Sequence, residues 1–286
     1  MAEYFEVEPL VVSFGAKLIG LDVRQLSDAA FVELYDCWLE YGLLIFPGQF
    51  LNKAEQSAFA KRFGELEFDT APISNVTKAG TVRADDDSDS VIQVLKGNMG
   101  WHCDSTYMPV QAKGAVFSAH VIPSEGGETG WADLRAGYDA LDGAKQEQIA
   151  TLSAYHSLYY SQAKAGYTEE DHGEYTGYGF FGQEPPLRPL VKTHPETGRK
   201  SLLIGRHAYG IPGLSTGESE NLLNELLNLT CLAPRVYHHR WSEGDAVVWD
   251  NRCLLHQACP WDMSQPRIMY HTRIAGDQGT EFASTS

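Results

Sequence analysis

Two periodicities alternate along this chain. From Ser27 to Gly42 the apolar residues Phe31, Leu34, Tyr35 and Trp38 recur at the three-and-four spacing of one helix face. Ser27 supplies an oxygen to cap such a helix, and Gly42 ends it. A second helix is expected after Asn52. Glu55 completes a capping box there, Phe59, Ala60 and Phe63 face inward, and Gly64 is the stop. Ser215 and Glu218 open a third, which carries Leu222, Leu223, Leu226 and Leu227. A shorter amphipathic piece, Leu134 to Leu141, follows Asp133. Between the helices lie short strand-like runs: Leu43–Phe46, Val91–Val94, Ala115–Val121, Ser201–Ile204, Ala246–Trp249 and Ile268–Ile274. This pattern predicts a mainly β fold with flanking helices, a double-stranded β-helix (jelly roll) core decorated on its outside.

No internal repeat or low-complexity linker interrupts the pattern, so residues 1–286 read as a single domain. Residues 69–90 are polar and contain Asp85-Asp86-Asp87, and residues 162–186 are rich in Gly and Tyr. Both stretches read as lid loops over a site. The formal net charge of −16 argues against nucleic-acid and anionic-membrane partners. It leaves room for a small anionic substrate, because a few buried arginines reverse the sign locally. No apolar run approaches transmembrane length, and Met1 to Leu10 carries no basic segment of the kind that opens a signal peptide. Five cysteines without C-x-x-C spacing suit a reducing cytoplasm. Assembly into a homo-oligomer is left open.

The chemistry concentrates in Trp101-His102-Cys103-Asp104. On an extended strand, residues two apart share a face, so His102 and Asp104 can offer a nitrogen and an oxygen to one point. A distant His would complete a facial triad with open positions opposite it, the arrangement of non-heme Fe(II) oxygenases. His256, following the run Gly244 to Leu255, is placed to be that third ligand. Two His and a carboxylate also suit Zn²⁺, and a zinc hydrolase is the competing enzyme class. Arg267 opens a run in which alternation puts Arg267, Met269, His271 and Arg273 on one face. So many cationic groups facing inward imply bound anions, because unpaired charge is strongly disfavoured in a dry core.

These residues carry a resemblance. Asn98…Trp101-His102-Cys103-Asp104, Gly126-Gly127-Glu128-Thr129, Trp249-Asp250-Asn251-Arg252…His256 and Arg267 resemble the taurine/2,4-dichlorophenoxyacetate dioxygenase family of Fe(II)/2-oxoglutarate-dependent enzymes. Gly97-Asn98-Met99-Gly100, Asp104-Ser105-Thr106-Tyr107-Met108-Pro109 and Leu203-Ile204-Gly205-Arg206-His207-Ala208 are most similar to its phenoxypropionate-type members. The resemblance implies Fe(II) on His102, Asp104 and His256, with O₂ as oxidant. It implies 2-oxoglutarate on Arg267, aided by Thr129 and with Trp249 nearby. It places substrate near Asn98, Ser74 and Asn75. Taurine enzymes carry an arginine four residues after the cosubstrate arginine, where this chain has His271; Arg273, two residues further on, is the candidate replacement. A carboxylate substrate follows, with His271 as a second contact and Val76 and Tyr107 as walls for an aryl group. The implied reaction is hydroxylation beside the ether oxygen of an aryloxyalkanoate. The same chemistry on a sulfonate, an alkyl sulfate or a natural-product acid is the alternative.

Overall fold

The computed structural model describes residues 3–166 and 184–283, so most of the expected lid at 162–186 lies outside the described residues. Seven strands form the larger sheet. Their spatial order is Glu6–Pro9, Ala16–Ile19, Leu43–Phe46, Ala246–Asp250, Gly114–Val121, Ile268–Ile274 and Leu66–Ser74. A facing sheet is built from Val236–His239, Thr129–Asp133 and Leu254–Ala258.

The run Leu43–Phe46 is apolar at every position because both faces of its sheet are covered. Leu43 and Ile45 turn toward the inter-sheet core with Ala115, Trp249 and Met269, and the facing sheet sends Trp131 and Leu254 into the same core. Leu44 and Phe46 turn the other way, onto Leu34, Trp38 and Phe59 of helices Asp28–Tyr41 and Lys53–Lys61. Behind the smaller sheet, Ala132 and Leu255 pack with Leu222 and Leu226 of helix Thr216–Thr230. The result is the expected jelly roll, two sheets face to face with helices outside.

The local signals act as read. Ser27 caps the first helix and Gly42 closes it at φ 74°, and both capping boxes form. The helix after Asp133 spans Leu134–Asp139. Among the described residues no helix is long and apolar enough to cross a membrane.

Three expectations change. The run Val91–Val94 is not a strand but part of helix Ser90–Gly97, whose first amides are capped by the Asp89 carboxylate. A short apolar run fits either period, and here the cap and the buried pair Ile92 and Leu95, three apart, decide for the helix. The strand expected at Ser201–Ile204 spans Lys200–Leu202. The segment 69–90 is divided: its first residues belong to edge strand Leu66–Ser74, paired to Ile268–Ile274. Its polarity there is that of a sheet edge that meets solvent on one side.

Candidate active site

His102 and His256 are joined by their backbones. The N–H of His102 donates to the carbonyl of His256 at 2.9 Å, and His256 returns the bond at 2.8 Å. This isolated antiparallel bridge sets the two imidazoles side by side, ring centroids 4.1 Å apart. The strand expected around His102 is reduced to this single bridge; the chain then turns, and Asp104 enters the turn. One donor atom each from His102, Asp104 and His256 lies within 4.8 Å of the others, all three residues buried.

The protonation pattern suits a divalent cation. His102 Nδ1 lies 2.7 Å from the Gly100 carbonyl, which can only accept, so Nδ1 carries the proton and Nε2 keeps its lone pair. Burial, reinforced by His256, holds His102 well below the usual histidine range. Burial likewise lowers His256 to about 4, against the opposing pull of Asp104. Burial alone would raise Asp104, but the charge of Arg273 holds its carboxyl well below the carboxylate range. Arg273 Nη2 donates to Asp104 Oδ1 at 3.0 Å, leaving Oδ2 buried without a hydrogen-bond donor. His271 Nε2, 3.4 Å from Oδ2, is outside hydrogen-bonding alignment. Two neutral imidazoles and one ionised carboxylate with an unsatisfied oxygen are the donor set a divalent metal requires.

A pH dependence follows. Burial also holds His207 well below its ordinary range and lowers His156 to about 3. A histidine neutral in the fold but free to charge in the unfolded chain makes unfolding take up protons, so stability rises with pH. Metal-free protein is therefore expected to lose stability as pH falls from 6.5 toward about 4, the range spanned by His256. The slope is up to about 1.4 kcal/mol per pH unit for each such histidine. Thermal unfolding of chelator-treated protein at several pH values checks this; a flat Tm from about pH 7 to about pH 5 would refute the neutral assignment.

A second charged position faces the same space. Arg267 is 2% exposed, and burial lowers it to about 10. Its guanidinium donates twice to the Gly127 carbonyl and lies over the Trp261 ring, but no carboxylate of the described residues forms an ion pair with it. Gly127, at φ 70°, comes so close that a β-carbon would stand 3.2 Å from Arg267 Nε. The turn through Gly127 delivers Thr129, whose Oγ1 accepts the Trp241 indole N–H at 3.0 Å. The oxygen being engaged, the Thr129 hydroxyl proton remains to be given to a ligand.

Triad, Arg267 and Thr129 line one cavity of about 870 Å³. Asn98, Tyr107, Trp249, His271 and Arg273 line it too. Ser74, Asn75 and Val76 are not among the residues that line it. Asn75 is fully buried and fastens backbone: its amide donates to the carbonyls of Met263 and Gln265, and its oxygen accepts the Arg267 N–H. Ser74 accepts the Val76 N–H, and Val76 bridges Val82. Arg273 serves Asp104 and Ser105 Oγ, so its buried charge is compensated within the protein. His271 stacks on Trp249 at 5.7 Å and meets Phe117 edge-on.

Sequence reasoning missed several cavity residues. Arg206 lines the cavity, and Gly205, at φ 129°, lets its backbone pass against His102, so that Arg206 N–H reaches the Trp101 carbonyl at 2.8 Å. Its signal was the Gly205-Arg206-His207 run already visible in the chain. Phe117 and Phe68 also form walls. Phe117 alternates with Ala115 and Ala119 in the inward register of its strand, a signal that was available.

Residues 6–273 match the profile of the taurine catabolism dioxygenase TauD, TfdA family. The chain belongs to this family. It is an Fe(II)- and 2-oxoglutarate-dependent dioxygenase, as the resemblance implied. This dioxygenase is 59% identical to an (S)-phenoxypropionate/alpha-ketoglutarate-dioxygenase of Sphingobium herbicidovorans, over 99% of each chain. It is 51% identical to a protein of the same name from Delftia acidovorans, again over 99% of each. The crystal structure of AAD-2 in complex with Mn(II) and N-oxalylglycine superposes with a TM-score of 0.87, at 35% identity over 99% of each chain.

Proposed function

We propose that this dioxygenase hydroxylates the carbon beside the ether oxygen of an aryloxyalkanoate, an (S)-2-aryloxypropionate foremost. His102, Asp104 and His256 would hold the iron, and Arg267 with Thr129 the far carboxylate of 2-oxoglutarate. One observation carries the cosubstrate assignment: a buried arginine that no carboxylate of the described residues pairs with, facing the cavity that holds the triad. A dicarboxylate supplies the missing charge, because a guanidinium binds carboxylate through two parallel hydrogen bonds. The substrate class rests on the two phenoxypropionate-named relatives and on the cavity's aromatic walls.

Iron(II) bound at the triad would supply oxygen activation, with 2-oxoglutarate as reductant. There one oxygen atom of O₂ would enter succinate as CO₂ leaves, and the other would enter the substrate C–H bond. The product of a 2-aryloxypropionate is a hemiketal, which breaks its aryl ether bond to give a phenol and pyruvate. The protein's own residues orient and exclude. Arg206 brings a cationic side chain to the cavity for the substrate carboxylate, in a chain whose net charge is −16. Phe68, Phe117 and Tyr107 provide apolar walls that keep water from the reacting carbon.

The test is phenol release from (S)- and (R)-2-phenoxypropionate, followed with and without Fe(II), 2-oxoglutarate and O₂. Phenol and pyruvate in equal amounts, faster from the (S) acid and absent when any component is omitted, is the expected result. Turnover of an alkyl sulfate or a sulfonate without phenol from either acid would remove the aryloxyalkanoate reading. It would leave the dioxygenase assignment standing.

A further inference from the structure

We infer that Asn251 is a positioning residue for the iron site, clamping the peptide of Asp104 so that its carboxylate is aimed before metal arrives. This rests on reading His102, Asp104 and His256 as the metal ligands. Asn251 is fully buried in the turn between strands Ala246–Asp250 and Leu254–Ala258. Its Oδ1 accepts the Asp104 N–H at 2.7 Å, while its Nδ2 donates to the Asp104 carbonyl at 2.9 Å and to the Ala112 carbonyl at 2.9 Å. Both donors and the acceptor of the amide are thus engaged with backbone, two of the three bonds on the Asp104 residue itself.

The need for a clamp is visible in the next residue. Ser105 sits at φ 55°, a conformation that a residue with a side chain adopts only when its surroundings hold it there. Ser105 Oγ donates to the Glu67 carboxylate at 3.0 Å and accepts from Arg273 Nη1 at 3.1 Å. Asp104 is therefore held at its amide and carbonyl by Asn251, at its carboxylate by Arg273, and through its neighbour by Glu67. Asn251 is itself anchored: its N–H reaches the Lys113 carbonyl, and its own carbonyl accepts Gln111 Nε2 at 3.1 Å. Five residues on, the same chain bridges His102 through His256. One amide side chain thereby links the turn that bears the carboxylate to the strand that bears the third ligand.

The experiment compares Asn251→Ala with Gln111→Leu, which disturbs the same turn without touching Asp104. Mn(II) affinity is measured by the EPR signal of the free ion, and thermal unfolding is measured on the metal-free proteins. Partners that orient metal ligands typically contribute about 10–100-fold in affinity. Asn251→Ala is expected to raise the Mn(II) dissociation constant by that factor, and Gln111→Leu by less than about 3-fold even where its Tm falls as far. Equal weakening in the two variants, or a change below about 3-fold in Asn251→Ala, would overturn the inference. If the alanine variant does not fold, Asn251→Ser, which keeps a short polar group, is read by the same comparison. Failure of the unaltered protein to bind Mn(II) would instead reject the metal site itself.

Discussion

Alanine at Asp104 is expected to abolish metal binding and metal-dependent turnover together. The side chain is the hub of the site: Arg273 donates to it, and His256 Nε2 stands 3.8 Å away. Its removal deletes one ligand and the only negative charge of the triad. The Mn(II) dissociation constant should therefore rise well beyond the roughly 100-fold that orienting residues contribute. Stability should fall as well, because Arg273 is left in the interior without its closest carboxylate. Removing one member of a buried pair costs about 3–5 kcal/mol. The loss here should lie toward or below the lower end, since Glu67 remains 4.0 Å from Arg273. Asp104→Asn keeps the shape and an acceptor for Arg273 while removing the charge, so it should retain more stability and still lose the metal. Calorimetry of the metal-free proteins alongside EPR titration separates the two effects. Metal affinity within a few-fold of the parent in both variants would dismiss Asp104 as a ligand.

Leucine at Arg267 should have the second-largest effect, and of a different kind. The guanidinium is nearly inaccessible and already destabilised by burial. Exchanging a buried cation for a hydrocarbon of similar reach should leave the metal-free protein as stable as before or more so. The cosubstrate, by contrast, loses a bidentate partner. Hydrogen bonds to charged groups contribute about 1.5–3 kcal/mol each, so losing two raises the 2-oxoglutarate half-saturation concentration by roughly 10²–10⁴-fold. Metal affinity in the absence of cosubstrate should be unchanged. An unaltered half-saturation concentration would show that 2-oxoglutarate lies elsewhere in the cavity. A large drop in Tm would show that the two bonds from Arg267 to Gly127 matter more than its burial.

The sequence made some parts of this enzyme legible for local reasons. Ser27, Asn52 and Ser215 mark helix starts because a cap is a contact within one turn of chain. The tetrad Leu43 to Phe46 announces a strand covered on both faces. Val91 to Val94 misled because three apolar residues around Gln93 carry no usable period, and the deciding Asp89 cap lay just outside the run. At the site, His102, Asp104, His256, Arg267 and Thr129 stood out because metal and dicarboxylate chemistry demands particular residue types. That Asn75 fastens backbone was not legible, because an asparagine that fastens backbone and one that touches a ligand look identical in one dimension.

Sequence alone therefore determined the candidate ligand set, the candidate cation for the cosubstrate and the jelly-roll pattern, since each is fixed by residue chemistry or by a period of a few residues. Tertiary structure decided how the cations divide their work. It set Arg273 against Asp104 and Ser105, brought Arg206 beside His102 over the positive-φ Gly205, and put Asn251 across a gap of 147 positions onto the Asp104 peptide. Charges and hydrogen bonds act over a few ångströms of space, and only the folded chain says which residues lie that close.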